Sequence, residues 1–307
     1  MVATRPAAAV LESPPKDDGL FGPGSITWRV HASPGLAVTG MASALYQMLH
    51  PRVMRMIDQA SSFKTNPKLR GELTGEYTMT ITFGDTEQAE KAGAALRYIH
   101  SMMKATDPQT GQQYGVDEPD LLMWVHCTLT RTALVVADRW GPALTAAEHD
   151  QYVTEQKQAA RLVGIDPDTA PGTVAALDAY LQSMRPWMAF IIEAQWFRDM
   201  LVPTGLVPDL ASLIQRWIAQ AAVGVLPPDA RDLYGFHYTR WQERWVNAFA
   251  GWVLRAAATK NPYDTSVTNL RNYVSAHAFG RKAQQLNEQR LAQLQERAAQ
   301  ARTQSKS

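Results

Sequence analysis

Cysteine is almost absent from this sequence, which holds only Cys127 among 307 residues. A single thiol forms no internal disulfide and supplies no Cys-rich metal cluster. An excess of charge of one sign is also lacking, because 30 basic residues oppose 29 acidic ones and the formal net charge is +1. The basic field typical of nucleic-acid binders is therefore missing, and we expect no nucleic-acid partner.

Long uncharged apolar runs are missing as well. The opening residues, MVATRPAAAVLESPPKDDG, contain no apolar stretch of signal-peptide length. No run approaches the roughly 20 apolar residues that span a bilayer. We therefore expect a cytoplasmic protein without a transmembrane segment. The 46% hydrophobic composition is nevertheless ample for a large buried core.

Regular strand patterns and several common catalytic motifs are absent too. The best candidate strand, residues 77–83, is isolated, and the same residues could equally start a helix or form a short extended connection. The sequence has no GxGxxG after a strand, no GxxxxGK[ST], no GxSxG and no HExxH. It thus carries no signature of dinucleotide, P-loop, serine-hydrolase or zinc-protease chemistry.

What the sequence does contain is helical periodicity. Asp85 or Thr86 caps a helix that extends to about Lys104, and a second helix runs from about Asp117 to Trp140. A capping box at Thr145 opens a third helix that ends at Gly164. Further helices are predicted at about 36–59, 173–184, 209–222 and 228–258.

These patterns predict an all-α fold in one multi-helix domain. Residues 1–24, rich in Pro, Ala and charge, are predicted to form an extended N-terminal arm. The domain is expected over 25–280. Residues 281–307 shift to a polar composition rich in Gln, Ala and Arg, which predicts a frayed helix followed by a disordered tail.

Two histidines carry the most chemical information. His100 and His126 lie on consecutive predicted helices, each within an apolar stripe. A buried neutral imidazole needs a hydrogen bond or a metal, so two explanations stay open. Both residues could be core histidines bonded to backbone or hydroxyl groups. Alternatively, one of them ligates a haem iron between apolar walls, with Arg29 or Arg70 as the cation near the propionates.

An ordered series of short motifs resembles one family, the oxygenases that include the bacterial latex-clearing rubber oxygenases and the fungal MpaB oxygenase. The resemblance covers about 25–164 and continues more weakly over 175–186. The residues that carry it are Trp28 to His31, Ala44 to Pro51, Arg70 to Tyr77, Phe83-Gly84, His100, Asp107-Pro108, Tyr114, Asp120 to His126 and Thr145 to Glu155.

The resemblance implies haem b in a partly globin-like helical core. His100 best matches the proximal iron ligand of the family, and His126 is the alternative ligand or a residue that shapes the pocket. Arg70 and Thr74 match the Arg and Thr of the family's Arg-x-x-Lys-Thr motif near the distal side of the haem. Leu73 replaces the lysine of that motif. Since leucine cannot coordinate iron, capping of the iron by lysine is lost.

The resulting prediction is a haem b-dependent oxygenase or peroxygenase that acts on an apolar small molecule, such as a lipid or isoprenoid, with dioxygen. Arg70 and Thr74 are the predicted catalytic residues. His100, His126, Arg29 and Leu73 are predicted to line the cofactor, with His100 on the metal. Two alternatives are a non-catalytic carrier of haem or a hydrophobic ligand, and a cofactor-free helical interaction protein. The sequence does not define the oligomeric state.

Overall fold

A computed structural model describes residues 16–202 and 210–259, together with 270, 271 and 274. This part of the chain is about 70% helical, with twelve α-helices and a single two-stranded sheet, which confirms the predicted all-α class. The helices are α1 (Ile26–His31), α2 (Leu36–Gln47), α3 (Pro51–Ala60), α4 (Pro67–Phe83), α5 (Thr86–Met102), α6 (Pro119–Trp140), α7 (Ala146–Val163), α8 (Val174–Met184), α9 (Ala194–Leu201), α10 (Leu210–Val225), α11 (Pro228–Tyr234) and α12 (Arg240–Thr259).

The sheet is a short antiparallel hairpin between α5 and α6. It joins β1 (Lys104–Thr106) to β2 (Gln113–Gly115), with Ala105 opposite Tyr114. Asp107 shapes the connecting turn, because its Oδ1 accepts from the backbone N–H groups of Gln109 and Thr110 at 2.8 and 3.1 Å. The hairpin contacts α3 and fixes the direction in which the chain leaves α5.

Helices α4 and α5 form an antiparallel pair. Asn66 starts α4 by accepting from the backbone N–H of Leu69 at 3.2 Å, and Pro67 occupies the first turn, where its missing N–H is harmless. The ambiguous segment 77–83 lies wholly inside α4, so the helical alternative is the one observed. Gly84 and Asp85 make the turn, and the predicted capping box of Asp85 with Gln88 opens α5.

Two helices predicted as continuous are each split in two. The predicted helix 36–59 is α2 followed by α3, because Pro51 cannot continue a helix and holds His50 in an extended conformation with ψ 114°. The predicted helix 228–258 is α11 followed by α12. There Gly235 ends α11 in the left-handed conformation at φ 70°, which glycine adopts without steric penalty.

The described part of the predicted N-terminal arm, residues 16–24, folds against the start of α5. Asp17 accepts through Oδ1 from the backbone N–H of Thr86 at 2.8 Å, and Lys16 forms an ion pair with Glu87. Residues 1–15 and the predicted tail 281–307 lie outside the described residues. The domain limits of 25 and 280 therefore stay predictions.

Helix α6 is the central helix, packed against α2, α7, α8 and α12. It is long and apolar enough to span a membrane, but 61% of its most apolar window is buried inside the protein, as in the core helix of a globular fold. Three threonine hydroxyls are buried along it. Each donates to the carbonyl one turn earlier, Thr128 to Trp124 at 2.8 Å, Thr130 to His126 at 2.9 Å and Thr132 to Thr128 at 2.8 Å.

Helix α7 packs against both α5 and α6. Its approach to α5 is close because Gly93 has no side chain there: a Cβ at this position would lie 2.9 Å from Cδ2 of Leu162. Arg97 then donates to the carbonyl of Leu162 at 2.6 Å, and Arg161 pairs with Glu90. These contacts fix the orientation of the α5 face that carries Gly93, and His100 lies two turns further along that face.

Candidate active site

The α4–α5 pair brings Arg70 and His100 to the same level of the fold. Arg70 lies 13 residues before the end of α4 and His100 lies 14 residues after the start of α5. At about 1.5 Å per residue, both are about 20 Å from the turn at Gly84 and Asp85. The positive charge of Arg70 acts on His100 and lowers its pKa, which places the two side chains within electrostatic reach.

The imidazole of His100 makes no hydrogen bond to the described residues. Its Nδ1 is buried without a hydrogen-bond partner, and Nε2 also bonds to no residue in the described part of the chain. Burial is the main cause that lowers the pKa of His100 to about 4, Arg70 adds to the effect, and Asp117 opposes it. The ring is thus neutral near pH 7, which is the form of imidazole that binds a metal.

Arg70, Leu73, Thr74 and Tyr77 share one face of α4, since they are spaced by three and four residues. The guanidinium of Arg70 donates to Oγ1 of Thr74, and that hydroxyl donates to the backbone carbonyl of Arg70 at 3.0 Å. Arg70 has no carboxylate partner among the described residues, and burial lowers its pKa. Leu73 adds an apolar surface between these polar groups.

His126 lies mid-way along α6, also without a hydrogen bond from its imidazole to the described residues. Burial alone lowers its pKa to about 4, so this ring is neutral as well. No charged group contributes to this shift, in contrast to the effect of Arg70 on His100. The two predicted haem ligands therefore come from helices that share α7 as a neighbour, but only His100 has Arg70 beside it.

Arg29 lies elsewhere. Its guanidinium pairs with Glu148 at the start of α7 and donates to the carbonyl of Ala143 at 3.4 Å. Glu148 lies 14 residues before Leu162, the α7 residue that contacts α5. That separation is about 21 Å along the helix. The structure thus brings Arg70 within electrostatic reach of His100 but does not bring Arg29 to the same place.

The sequence analysis did not single out Tyr77, which packs against the cluster of Ile81, Ala89, Ala92 and Leu162. It follows Leu73 by four residues on the same face of α4, and burial raises its pKa while the charge of Arg97 opposes the shift. The spacing of Arg70, Thr74 and Tyr77 is the signal that could have identified it. Its place in an ambiguous strand-like segment hid that spacing.

The two imidazoles suit a metal ion whose other ligands come from a cofactor. Among the described residues, no group of three or more His, Cys, Asp or Glu side chains could hold a bare ion. A porphyrin supplies four nitrogen donors and needs only an axial side chain from the protein. The uncommitted, neutral imidazole of His100 fits that requirement, and so does that of His126.

Fold and site together define an all-α protein in which a helical pair carries, at the end away from its turn, an imidazole without a hydrogen bond and a guanidinium without a carboxylate partner among the described residues. A family model described as "ER-bound oxygenase mpaB/B'/Rubber oxygenase, catalytic domain" matches residues 28–256. The chain belongs to this family of oxygenase catalytic domains, which confirms the resemblance found in its motifs. Searches of curated proteins and of solved structures found no significant match.

Proposed function

We propose that this protein is a haem b-dependent oxygenase that acts on an apolar small molecule with dioxygen. The observation that carries the proposal is the His100 imidazole, which is buried at Nδ1, neutral near pH 7 and bonded to none of the described residues. An unsatisfied buried polar atom is costly in a folded protein, and a ligand at this imidazole would remove that cost. Membership in the oxygenase family supplies the reaction class.

In this proposal His100 would hold the iron through its imidazole. Haem b, when bound, supplies an iron centre that binds and activates dioxygen. The guanidinium of Arg70 is the hydrogen-bond donor left to orient the reacting oxygen from α4. Thr74 positions that guanidinium, because its hydroxyl accepts from Arg70 and donates to the Arg70 carbonyl. Arg70 is suited to this because no carboxylate among the described residues neutralises it.

The apolar residues beside these groups favour an apolar substrate. Leu73 on α4, Leu96 on the His100 face of α5 and Met103 immediately after that helix offer hydrocarbon and thioether surface and no charge. Leu73 stands where a lysine occurs in the rubber oxygenases, so in this chain no lysine at that position competes for the iron. A cytoplasmic location belongs to the same proposal, because the one thiol, Cys127, is free and buried.

The test is the absorption spectrum of protein expressed with an adequate supply of haem precursor. A Soret band in the wild type that is lost in His100→Ala and kept in His126→Ala supports His100 as the ligand. His237→Ala, which removes an exposed imidazole, is the matched control and should keep the band. A band lost in His126→Ala alone would transfer the role to His126, and a wild type without a band would overturn the haem proposal.

A non-catalytic carrier of haem or of a hydrophobic ligand is the second candidate. It is favoured by the local pairing of Thr74 with Arg70, which satisfies the hydroxyl without any ligand. Consumption of dioxygen in the presence of candidate lipids separates the two functions. Turnover that falls in Arg70→Gln while the Soret band remains supports the oxygenase, whereas haem binding without oxygen consumption for any lipid supports the carrier.

A further inference from the structure

A cleft lies beside α6, away from the face that carries His126. Its volume is about 570 Å³, within the usual range for small-molecule sites. Arg131, Val135 and Arg139 reach it from one face of α6. Tyr46, α8 with the following Arg185, the end of α10 with the turn after it, α11 and the start of α12 complete its walls. His126 precedes Arg131 by five residues and thus lies about 140° away around the helix axis. The cleft is therefore separate from the candidate haem site.

Arginines dominate the polar lining of this cleft. Three of its four guanidinium groups have a carboxylate partner within the cleft itself. Arg131 pairs with Asp178 at 2.7 Å, Arg185 with Asp229 at 2.6 Å, and Arg139 with Glu243 at 3.5 Å. These pairs use all the carboxylates that line the cleft, which leaves it with one net positive charge.

The fourth arginine, Arg231, has no carboxylate partner in the described part of the chain. Its Nη1 is buried and without a hydrogen bond. The guanidinium carbon lies 5.4 Å from the ring centre of Tyr238, which supports one face of the group and leaves its in-plane donors free. An arginine left in this state is a ready partner for the two oxygens of a carboxylate or a phosphate.

The rest of the lining adds three uncharged polar residues and an apolar surface. Thr132 and Gln182 are already hydrogen-bonded, to the Thr128 carbonyl and to Arg185. The hydroxyl of Tyr46 lines the cleft and hydrogen-bonds to none of the described residues. Val135, Leu181, Val225, Leu226 and Pro227 contribute hydrocarbon surface. A ligand that matches this lining has an anionic end for Arg231 and an apolar body for the remaining wall.

We propose that this cleft binds a small amphipathic anion, a carboxylate or phosphate monoester on an apolar chain, with Arg231 as the partner of the anionic group. Arg231 pairs with the ligand oxygens, Tyr46 donates a further hydrogen bond, and Val135 and Leu181 contact the chain. The site goes beyond the proposed oxygenase function, because none of its residues lies on α4 or α5 and binding there needs no haem.

Isothermal titration of the full chain with decanoate, decyl phosphate and decanol tests the proposal. Binding of either anion that weakens by about tenfold or more in Arg231→Gln, with decanol bound weakly by both proteins, supports the site. The tighter of the two anions identifies a carboxylate or a phosphate as the preferred group. Equal affinity of wild type and Arg231→Gln for both anions, or decanol binding as tightly as decanoate, would overturn it.

Three further variants keep the result interpretable. Val135→Trp fills the cleft while Arg231 stays intact, and it should abolish binding even where Arg231→Gln folds poorly. Arg198→Gln is the matched control, since Arg198 pairs with Asp199 at 2.8 Å outside the cleft and its loss should leave affinity unchanged. His100→Ala should also bind the anion normally, so failure of the haem proposal leaves this test unaffected.

Discussion

The buried imidazole of His31 makes the stability of this fold depend on pH. His31 is 8% exposed, its Nδ1 lies 2.8 Å from Oγ1 of Thr82, and its Nε2 lies 3.0 Å from the hydroxyl of Tyr152. A neutral ring satisfies both contacts, because hydroxyl groups donate to one nitrogen and accept from the other. Burial lowers the pKa of His31 from 6.5 to about 4, and no charged partner offsets it.

The sign of the effect follows from proton binding in the two states. Between pH 6.5 and about 4, the unfolded chain binds a proton at His31 and the folded protein does not. The free energy of unfolding therefore falls as the pH drops through this window, by up to about 1.4 kcal/mol per pH unit from this residue. From about pH 7 to about pH 5, His31 alone should remove about 2 kcal/mol of stability.

Urea unfolding monitored by tryptophan fluorescence measures this loss at each pH. His31→Gln removes the titration while keeping a donor and an acceptor for Thr82 and Tyr152, so its stability should fall by about 2 kcal/mol less than that of the wild type over the same range. His100 and His126, whose pKa values are also about 4, should account for the pH dependence of the free energy of unfolding that remains in His31→Gln. His237→Gln should follow the wild type. An unchanged slope in His31→Gln would refute the reasoning.

Three further predictions concern the glycine pair Gly93 and Gly71, the thiol of Cys127 and the indole of Trp124. Gly93→Ala should destabilise the protein by about 1–2 kcal/mol in urea unfolding, since the added Cβ would crowd Leu162 at 2.9 Å. Gly71→Ala on the exposed side of α4 is the control, because its Cβ meets nothing within 4 Å, and it should stabilise the protein by about 0.5–1 kcal/mol. Equal effects of the two substitutions on the free energy of unfolding would count against close α5–α7 packing. Cys127 is fully buried, and burial raises its pKa to about 12. The thiol should therefore react with a thiol reagent only after denaturation. Prompt labelling of the native protein would contradict this prediction. Trp124→Ala should lower the free energy of unfolding by about 3–5 kcal/mol, measured by thermal or urea unfolding. The reason is that the indole is fully buried and donates to the Gln47 carbonyl at 3.0 Å. A loss below about 1 kcal/mol would be inconsistent with that environment.

Local signals in the sequence predicted most of the helices correctly. The capping residues Asp85 and Thr145 and the stop at Gly164 act within a single turn, so their effect is visible without tertiary structure. Residues 77–83 were ambiguous because the β-branched Thr and Ile residues there are typical of strands. They are helical because α4 begins at Pro67 and the segment packs on α1 and α5, which no local pattern reveals.

The candidate site was predictable in part. Arg70, Leu73 and Thr74 were identified with His100 by their motif, and the α4–α5 pair brings the two helices together. The sequence did not indicate that Arg29 pairs with Glu148, because that contact joins residues 119 positions apart. The cleft beside α6 could not be predicted from the sequence either. Its charged residues lie on or next to α6, α8, α11 and α12 and meet only in the folded protein.

The threonines of α6 have a consequence for how the rest of the chain can change. Since each buried hydroxyl finds its acceptor inside its own helix, the side chains packed around these three threonines need to supply only hydrocarbon of the right volume. Apolar side chains that contact the threonines can therefore be exchanged for others of similar size with little penalty. The central helix can stay constant while its surroundings diverge.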